Sequence, residues 1–152
     1  MRRGEKEIKA RPEIDAILRE ARVLRLGLVD GLEPYVVPLS FGYDGEALYF
    51  HCATAGRKLD LLQRNPLVCF EVDELDRVVE GTEACRWGVA YRSVIGTGRA
   101  VVLGEREEKR KGLEILMRQY SAREHNFDDR EMNRTCVVRI DILSVSGKKS
   151  PG

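Results

Sequence analysis

A chain of 152 residues with 43% apolar and 34% charged side chains is long enough for one domain with its own core. Its formal net charge is +1, with 26 basic residues interleaved among 25 acidic ones, which argues against a dedicated nucleic-acid binder. No apolar run reaches bilayer length, and the charged N-terminal stretch lacks the apolar segment of a secretory signal, so the expectation is a cytoplasmic protein with no membrane partner.

In chain order, the periodicity predicts a helix over residues 12–22, with Ile14, Ile17, Leu18 and Ala21 on one stripe and Pro12 in its first turn. Residues 23–29 read as a strand with Leu24, Leu26 and Leu28 on one face. Asp30-Gly31 signals a turn into a second strand, 34–41. Tyr43-Asp44-Gly45-Glu46 is a tight hairpin turn into a third strand, 47–52. A loop of small residues and a short helix follow, and Asn65-Pro66 ends that helix. Residues 67–72 read as a fourth strand, and the acidic run 73–83 as a loop.

A long strand over 92–103 contains Gly96 and Gly98, which suggest a bulge, a bend or close approach of another backbone. A helix over 105–120 carries Leu113, Leu116, Met117 and Tyr120 on its inner stripe. Residues 121–134 read as a polar loop and 135–143 as a last strand. Residues 1–11 and the tail 144–152, apart from Gly147-Lys148 and above all at 149–152, are expected to fray around a single domain spanning 1–152. About six strands joined mostly by hairpins are antiparallel, and glycine bends favour closure into a barrel, so the expected class is mainly β with flanking helices.

The four cysteines, Cys52, Cys69, Cys85 and Cys136, form no C-x-x-C pair and match no zinc spacing, and two histidines are too few for a histidine metal centre, so no metal is expected. Cys69 and Cys136 lie in apolar strand runs and are expected to be buried thiols. The chemistry concentrates elsewhere. Gly56-Arg57-Lys58 places two adjacent cations at a glycine-led junction between strand and helix. Free N–H groups and the dipole at a helix start favour an anion, above all a phosphate, and would otherwise oppose those cations. Arg57 offers bidentate hydrogen bonds and Lys58 a point charge, which together point to a phosphorylated cofactor.

Pro38 interrupts a good strand, so that strand lies at an edge, at a bulge, or against a ligand or another subunit. In the ligand case the backbone of residues 37–40 would face a flat heterocycle. His51 precedes the small-residue loop and is either a structural histidine or a proton donor beside the ligand. Thr54 is either a plain loop residue or a hydroxyl donor to the phosphate. Trp87, the one tryptophan, with Arg92 and Ser93, either packs in the core or walls a flat ring.

The segments PYVVPLSFGY, LYFHCATAGRKLDLLQRNPLVCFEV and YRSVIGTGRAVVL, in this order, resemble the pyridoxamine-phosphate-oxidase-like FMN-binding split-barrel superfamily, and within it the nitroimidazole-resistance (5-nitroimidazole reductase) group. The similarity covers residues 14–148. It implies a six-stranded antiparallel Greek-key split β-barrel and a homodimer with two FMN molecules at its interface. By resemblance, Arg57 and Lys58 match the phosphate-binding pair, and Val37, Pro38 and Leu39 the strand along the isoalloxazine ring. His51, Cys52 and Thr54 fall beside the ribityl phosphate, and Ser93, next to Arg92, reaches the flavin. Trp87 lies in a segment near the pocket, and Cys52 stands where many relatives carry serine.

The functional expectation is an FMN-dependent oxidoreductase passing electrons or hydride to a small electron-poor acceptor, a nitroimidazole or a quinone, with His51 assisting proton delivery. The alternative is a non-catalytic module that binds haem, a deazaflavin or a flavin.

Overall fold

Strands that alternate apolar and polar residues must bury one face, and those of this chain do so by curling around a common interior. The computed structural model describes residues 4–152. Its eight strands are β1 (Glu7–Ile8), β2 (Leu24–Asp30), β3 (Glu33–Leu39), β4 (Gly42–Tyr43), β5 (Ala47–Ala53), β6 (Leu67–Val79), β7 (Gly88–Val102) and β8 (Thr135–Ser150). The four helices are α1 (Arg11–Glu20), α2 (Arg57–Arg64), α3 (Arg106–Arg118) and α4 (Asp129–Arg134). All strands join one antiparallel sheet in the order β3-β2-β6-β7-β8-β5-β4, and β1 pairs with β8. The terminal strands β3 and β4 do not meet, so the sheet curls without closing: a split barrel with flanking helices.

Leu24, Leu26, Leu28, Phe50, Phe70, Val72, Val94, Val138 and Ile140 fill the barrel interior, and α1 and α2 add Ile14, Ile17, Leu18, Leu59, Leu61 and Leu62. A second cluster lies outside the barrel, where Leu113 and Ile115 of α3 cover Tyr49 of β5 and Val137 of β8. β5 and the start of β8 are thus buried on both faces, which explains why Val137 and Val138 are both inaccessible. The glycines of β7 let backbones approach. A Cβ on Gly96 would lie 2.3 Å from the Phe70 ring and 2.5 Å from the Ser144 carbonyl. The register slips between Thr97 and Gly98, the bulge that this glycine pair suggests.

Several expectations need correction. The six predicted strands are the six long ones, and the additional two, β1 and β4, are two-residue pairings too short to carry a period. The acidic run 73–83 is strand as far as Val79, because it pairs along β7 in a hairpin arm that reaches beyond the barrel. Charged residues on both faces of an exposed arm erase the alternation that would mark a strand. The loop 121–134 contains α4, whose N-cap Asp128 accepts a hydrogen bond from the Glu131 N–H. The tail expected to fray is strand through Ser150, because Gly147 and Lys148 sit between β7 and β1. Likewise Ile8 is 3% exposed and Arg11 begins α1, while residues 1–3 lie outside the described part. Cys136 is buried as expected, but Cys69 is exposed: it falls on the outward parity of β6, between the buried Val68 and Phe70. Among the described residues no helix is long and apolar enough to cross a membrane.

Candidate functional site

The strongest site feature is the passage from β5 to α2. Alternation along β5 turns Leu48 and Phe50 into the barrel, and Cys52 follows them, half-buried against that core. The chain leaves the sheet at Ala53 and turns at Gly56, whose φ of 132° lies in the region that side chains other than glycine rarely adopt. Nothing lies within 4 Å of where a Gly56 Cβ would stand, so the space ahead of α2 is open. Among the described residues no side chain caps α2, and the Asp60 N–H bonds the Gly56 carbonyl at 3.2 Å. The N–H groups of Arg57, Lys58 and Leu59 therefore precede that turn without acceptors inside the helix. Leu59, Leu61 and Leu62 anchor α2 in the core and hold this end in place.

The two cations at the helix start are held differently. The Arg57 guanidinium pairs with Asp30 at 3.0 Å and lies 4.6 Å from the centre of the Tyr35 ring. Asp30, the last residue of β2, also receives Arg64 at 3.5 Å. Asp30 and Tyr35 were not singled out from the sequence; the Asp30-Gly31 turn was the available signal, but nothing local ties it to α2. The Lys58 ammonium lies 5.2 Å from the centre of the Phe50 ring and makes no ion pair among the described residues. Burial, then the adjoining Cys136, push the Cys52 thiol up to about 11 while Lys58 pulls the other way, so Cys52 stays a neutral thiol. Cys52 and Cys136 face each other across β5 and β8.

β3 is an edge strand, paired only with β2. Tyr35, Val37 and Leu39 turn inward and pack against the core, while Pro34, Val36 and Pro38 face solvent. Pro34 and Pro38 share one parity with Val36, so both missing N–H groups belong to the unpaired edge, where they cost no ladder bond. That edge offers carbonyls and the Val36 N–H beside the hairpin that Arg57 clasps.

Of the remaining residues expected at the site, Thr54 lies within the β5–α2 passage and the others lie apart. Thr54 is exposed in the loop ahead of Gly56. His51 has the opposite parity to Phe50 and Cys52, so it faces α3 and α4 on the outside of the barrel, where it lines a separate cavity. Trp87, 53% exposed, lies just ahead of β7 at the projecting arm. Arg92 is held by Glu74 at 2.7 Å and by Glu20, and Ser93 lies in register between Asp73 and Lys148. Within one chain, none of these three shares a hydrogen bond or ion pair with α2 among the described residues.

One further surface bears on the site. The outward face of β2, β3, β6, β7 and β8 exposes Val29, Val36, Leu67, Ile95 and Leu143 around a depression of about 550 Å³. No helix covers it. It runs from the unpaired edge of β3 to the arm, where Val78 and Val89 form an exposed cross-strand pair. Among the described residues no cluster of three or more histidine, cysteine or acidic side chains is placed to hold a metal.

An open antiparallel barrel with flanking helices, an exposed edge strand and an uncapped helix start defines the chain as a split-barrel protein. It belongs to the pyridoxamine 5'-phosphate oxidase family, whose profile matches residues 10–149. No curated protein matches the sequence. Among solved structures, a proposed 5-nitroimidazole antibiotic resistance protein from Bacteroides thetaiotaomicron is 29% identical, with a TM-score of 0.86 over 94% of this chain and 86% of that one. An FAD-binding protein from Mesorhizobium loti is 26% identical, with a TM-score of 0.71 over 95% of this chain and 97% of that one. The flavocytochrome Anf3 from Azotobacter vinelandii shares the fold, at 24% identity and a TM-score of 0.88 over 100% of this chain and 72% of that one.

Proposed function

We propose that this protein is a cytoplasmic flavoprotein that binds FMN and, as a homodimer, passes electrons or hydride to a small electron-poor acceptor such as a nitroimidazole or a quinone. The observation that carries the reading is the uncapped start of α2, with open space at Gly56 just ahead of it and a Lys58 that makes no ion pair among the described residues. A terminal phosphate fits this donor set, because it satisfies the N–H groups and removes the conflict between the dipole and the cations. Arg57 is less free, since Asp30 holds it, so a phosphate would compete with that carboxylate for one face of the guanidinium. The outer edge of β3, with carbonyls at Pro34, Val36 and Pro38 and one N–H at Val36, suits the polar rim of a flat heterocycle.

Bound flavin supplies the electron chemistry, and the protein's part is to anchor, orient and shield it. Lys58 and the α2 N–H groups would hold its anionic end. The backbone of Val37 to Leu39 would line the ring and give its surroundings their polarity. The uncovered sheet face would meet a second copy, which excludes water from the apolar residues between β3 and the arm. The same contact is the means by which Trp87 and Ser93, remote from α2 in one chain, would reach the site of a partner. His51 faces away from Cys52 and Lys58, so a role in proton delivery would have to be exerted from the outer side of β5. The relatives described as FAD-binding and nitroimidazole-resistance proteins support a flavin and this acceptor class.

The test is the visible absorption spectrum of the purified protein, followed by release and identification of the chromophore. A two-band flavin spectrum with FMN released is expected. A Soret band would replace this reading with haem binding, with His51 and His125 the first ligands to substitute. A colourless protein that takes up no added FMN would overturn the cofactor assignment.

A further inference from the structure

The pairing of β5 with β8 brings two thiols together. Cys52 and Cys136 are register partners across these strands, and both turn toward the barrel core. Directly opposed residues of an antiparallel pair hold their Cβ atoms about 5 Å apart, so their side chains meet. Cys136 is buried and Cys52 half-buried, at the end of β5 where the chain runs out into the loop ahead of α2. Lys58 stands close enough to oppose the rise that burial imposes on the Cys52 thiol. Its ammonium makes no ion pair among the described residues. No third donor completes a larger set: among the described residues no group of three histidine, cysteine or acidic side chains surrounds a common point. His51, one residue before Cys52, has the opposite parity and cannot join the pair.

Two thiols without a third donor select a narrow class of ligand. Zinc needs a tetrahedral set and calcium a cage of oxygens, so neither is held here. A soft, closed-shell monovalent cation is satisfied by two thiolates in a line, and sulfur ligands select Cu(I). We propose that Cys52 and Cys136 form a two-coordinate site for Cu(I), with Lys58 as its counter-ion. Each thiol gives up its proton to solvent and each sulfur forms one bond to the metal, so an ion entering displaces both protons and no oxidation state changes. The bis-thiolate so formed carries a single net negative charge. The half-buried setting penalises that charge, and the neighbouring ammonium offsets the penalty. Strand register sets the sulfurs face to face before the ion arrives, so binding needs side-chain rotation and no shift of the sheet. Lys58 also belongs to the proposed phosphate site, but the thiol pair does not depend on a flavin.

The test is an oxygen-free titration of Cu(I) into the chain carrying Cys69→Ser and Cys85→Ser, in competition with the chromophoric chelator bathocuproine disulfonate. Those two cysteines are exposed and lie off the pair, so their removal leaves only the thiols in question. One ion per chain is expected, with the X-ray absorption edge of linear Cu(I) and two sulfur neighbours. Cys52→Ser should weaken binding by about 100-fold or more, and Lys58→Glu by about tenfold or more, with circular dichroism confirming the fold of each. No uptake against the chelator, a three- or four-coordinate spectrum, or an unchanged affinity in Cys52→Ser or in Lys58→Glu would each overturn the proposal. The spectrum is read with both thiols intact, so it decides the matter even if a cysteine variant fails to fold.

Discussion

Two neighbouring residues, Arg57 and Lys58, read alike in the sequence and differ in the structure. Arg57 is clasped by Asp30 and stacked on Tyr35, whereas among the described residues Lys58 has only the face of Phe50. Replacing both with Ala should weaken FMN binding by about 100-fold or more, the loss of two charge-assisted contacts, measured by quenching of flavin fluorescence. Stability should change by no more than about 1 kcal/mol, because exposed ion pairs contribute little. Asp44 makes a second prediction at this scale. Burial opposes its ionisation, but the N–H groups of Ala47 and Glu46 and the Tyr49 hydroxyl donate to it and hold its carboxyl below the ordinary range. A carboxylate whose pKa is lowered on folding adds stability above its unfolded pKa and loses it as pH falls through the folded value. Asp44→Asn should therefore cost about 1 kcal/mol near pH 6, and the gap to the native protein should close toward pH 2, as urea unfolding at each pH would record.

Among the elements, α1 shows how a helix end is secured from a distance. No glycine stops it, and its C-terminal carbonyls are collected by one side chain from beyond α3. Gln119, 8% exposed, donates from its amide nitrogen to the carbonyls of Leu18, Arg19 and Ala21 at 2.8 to 2.9 Å. Tyr120 continues the tie: it donates to the Arg22 carbonyl at 2.7 Å and accepts from the Phe41 N–H at 3.0 Å. Gln119→Ala should strand these acceptors and lower stability by about 1–3 kcal/mol, seen as a shifted urea midpoint with an unchanged slope. A smaller effect would mean that water reaches the carbonyls. The element least visible in the sequence is the β6–β7 arm. Its apolar residues, Leu75, Val78 and Val89, are exposed, so no burial pattern distinguished strand from loop there.

For the whole molecule, the unexplained feature is a barrel with one bare apolar face. Val36 is 62% and Leu143 61% exposed on it, with Val29, Leu67 and Ile95 close to half. A contiguous patch of this kind on a sheet marks an interaction surface. If it is the proposed dimer contact, Val36→Glu combined with Leu143→Glu should yield a folded monomer by light scattering, since buried like charges would meet across a two-fold axis. Flavin retention should fall with the dimer, because the second wall of the site would be lost. A dimer that survives both charges would place the contact elsewhere.

The sequence by itself determined what is local and periodic. The leucines of β2, the hairpin at Asp44-Gly45, Leu113 and Leu116 of α3 and the glycine-led start of α2 were legible because turn chemistry and side-chain period act within a few residues, whereas Tyr120, expected on the same stripe, lies beyond α3 and is exposed. The order of the six long segments carried the split barrel through its resemblance to a family. Only the tertiary structure decided which face of β5 His51 occupies relative to Lys58, that Asp30 holds Arg57, that Cys69 is exposed, and that Trp87, Arg92 and Ser93 stand apart from α2. Each of these depends on which strands become neighbours and which helix covers which face, pairings between residues far apart in the chain that no local pattern encodes.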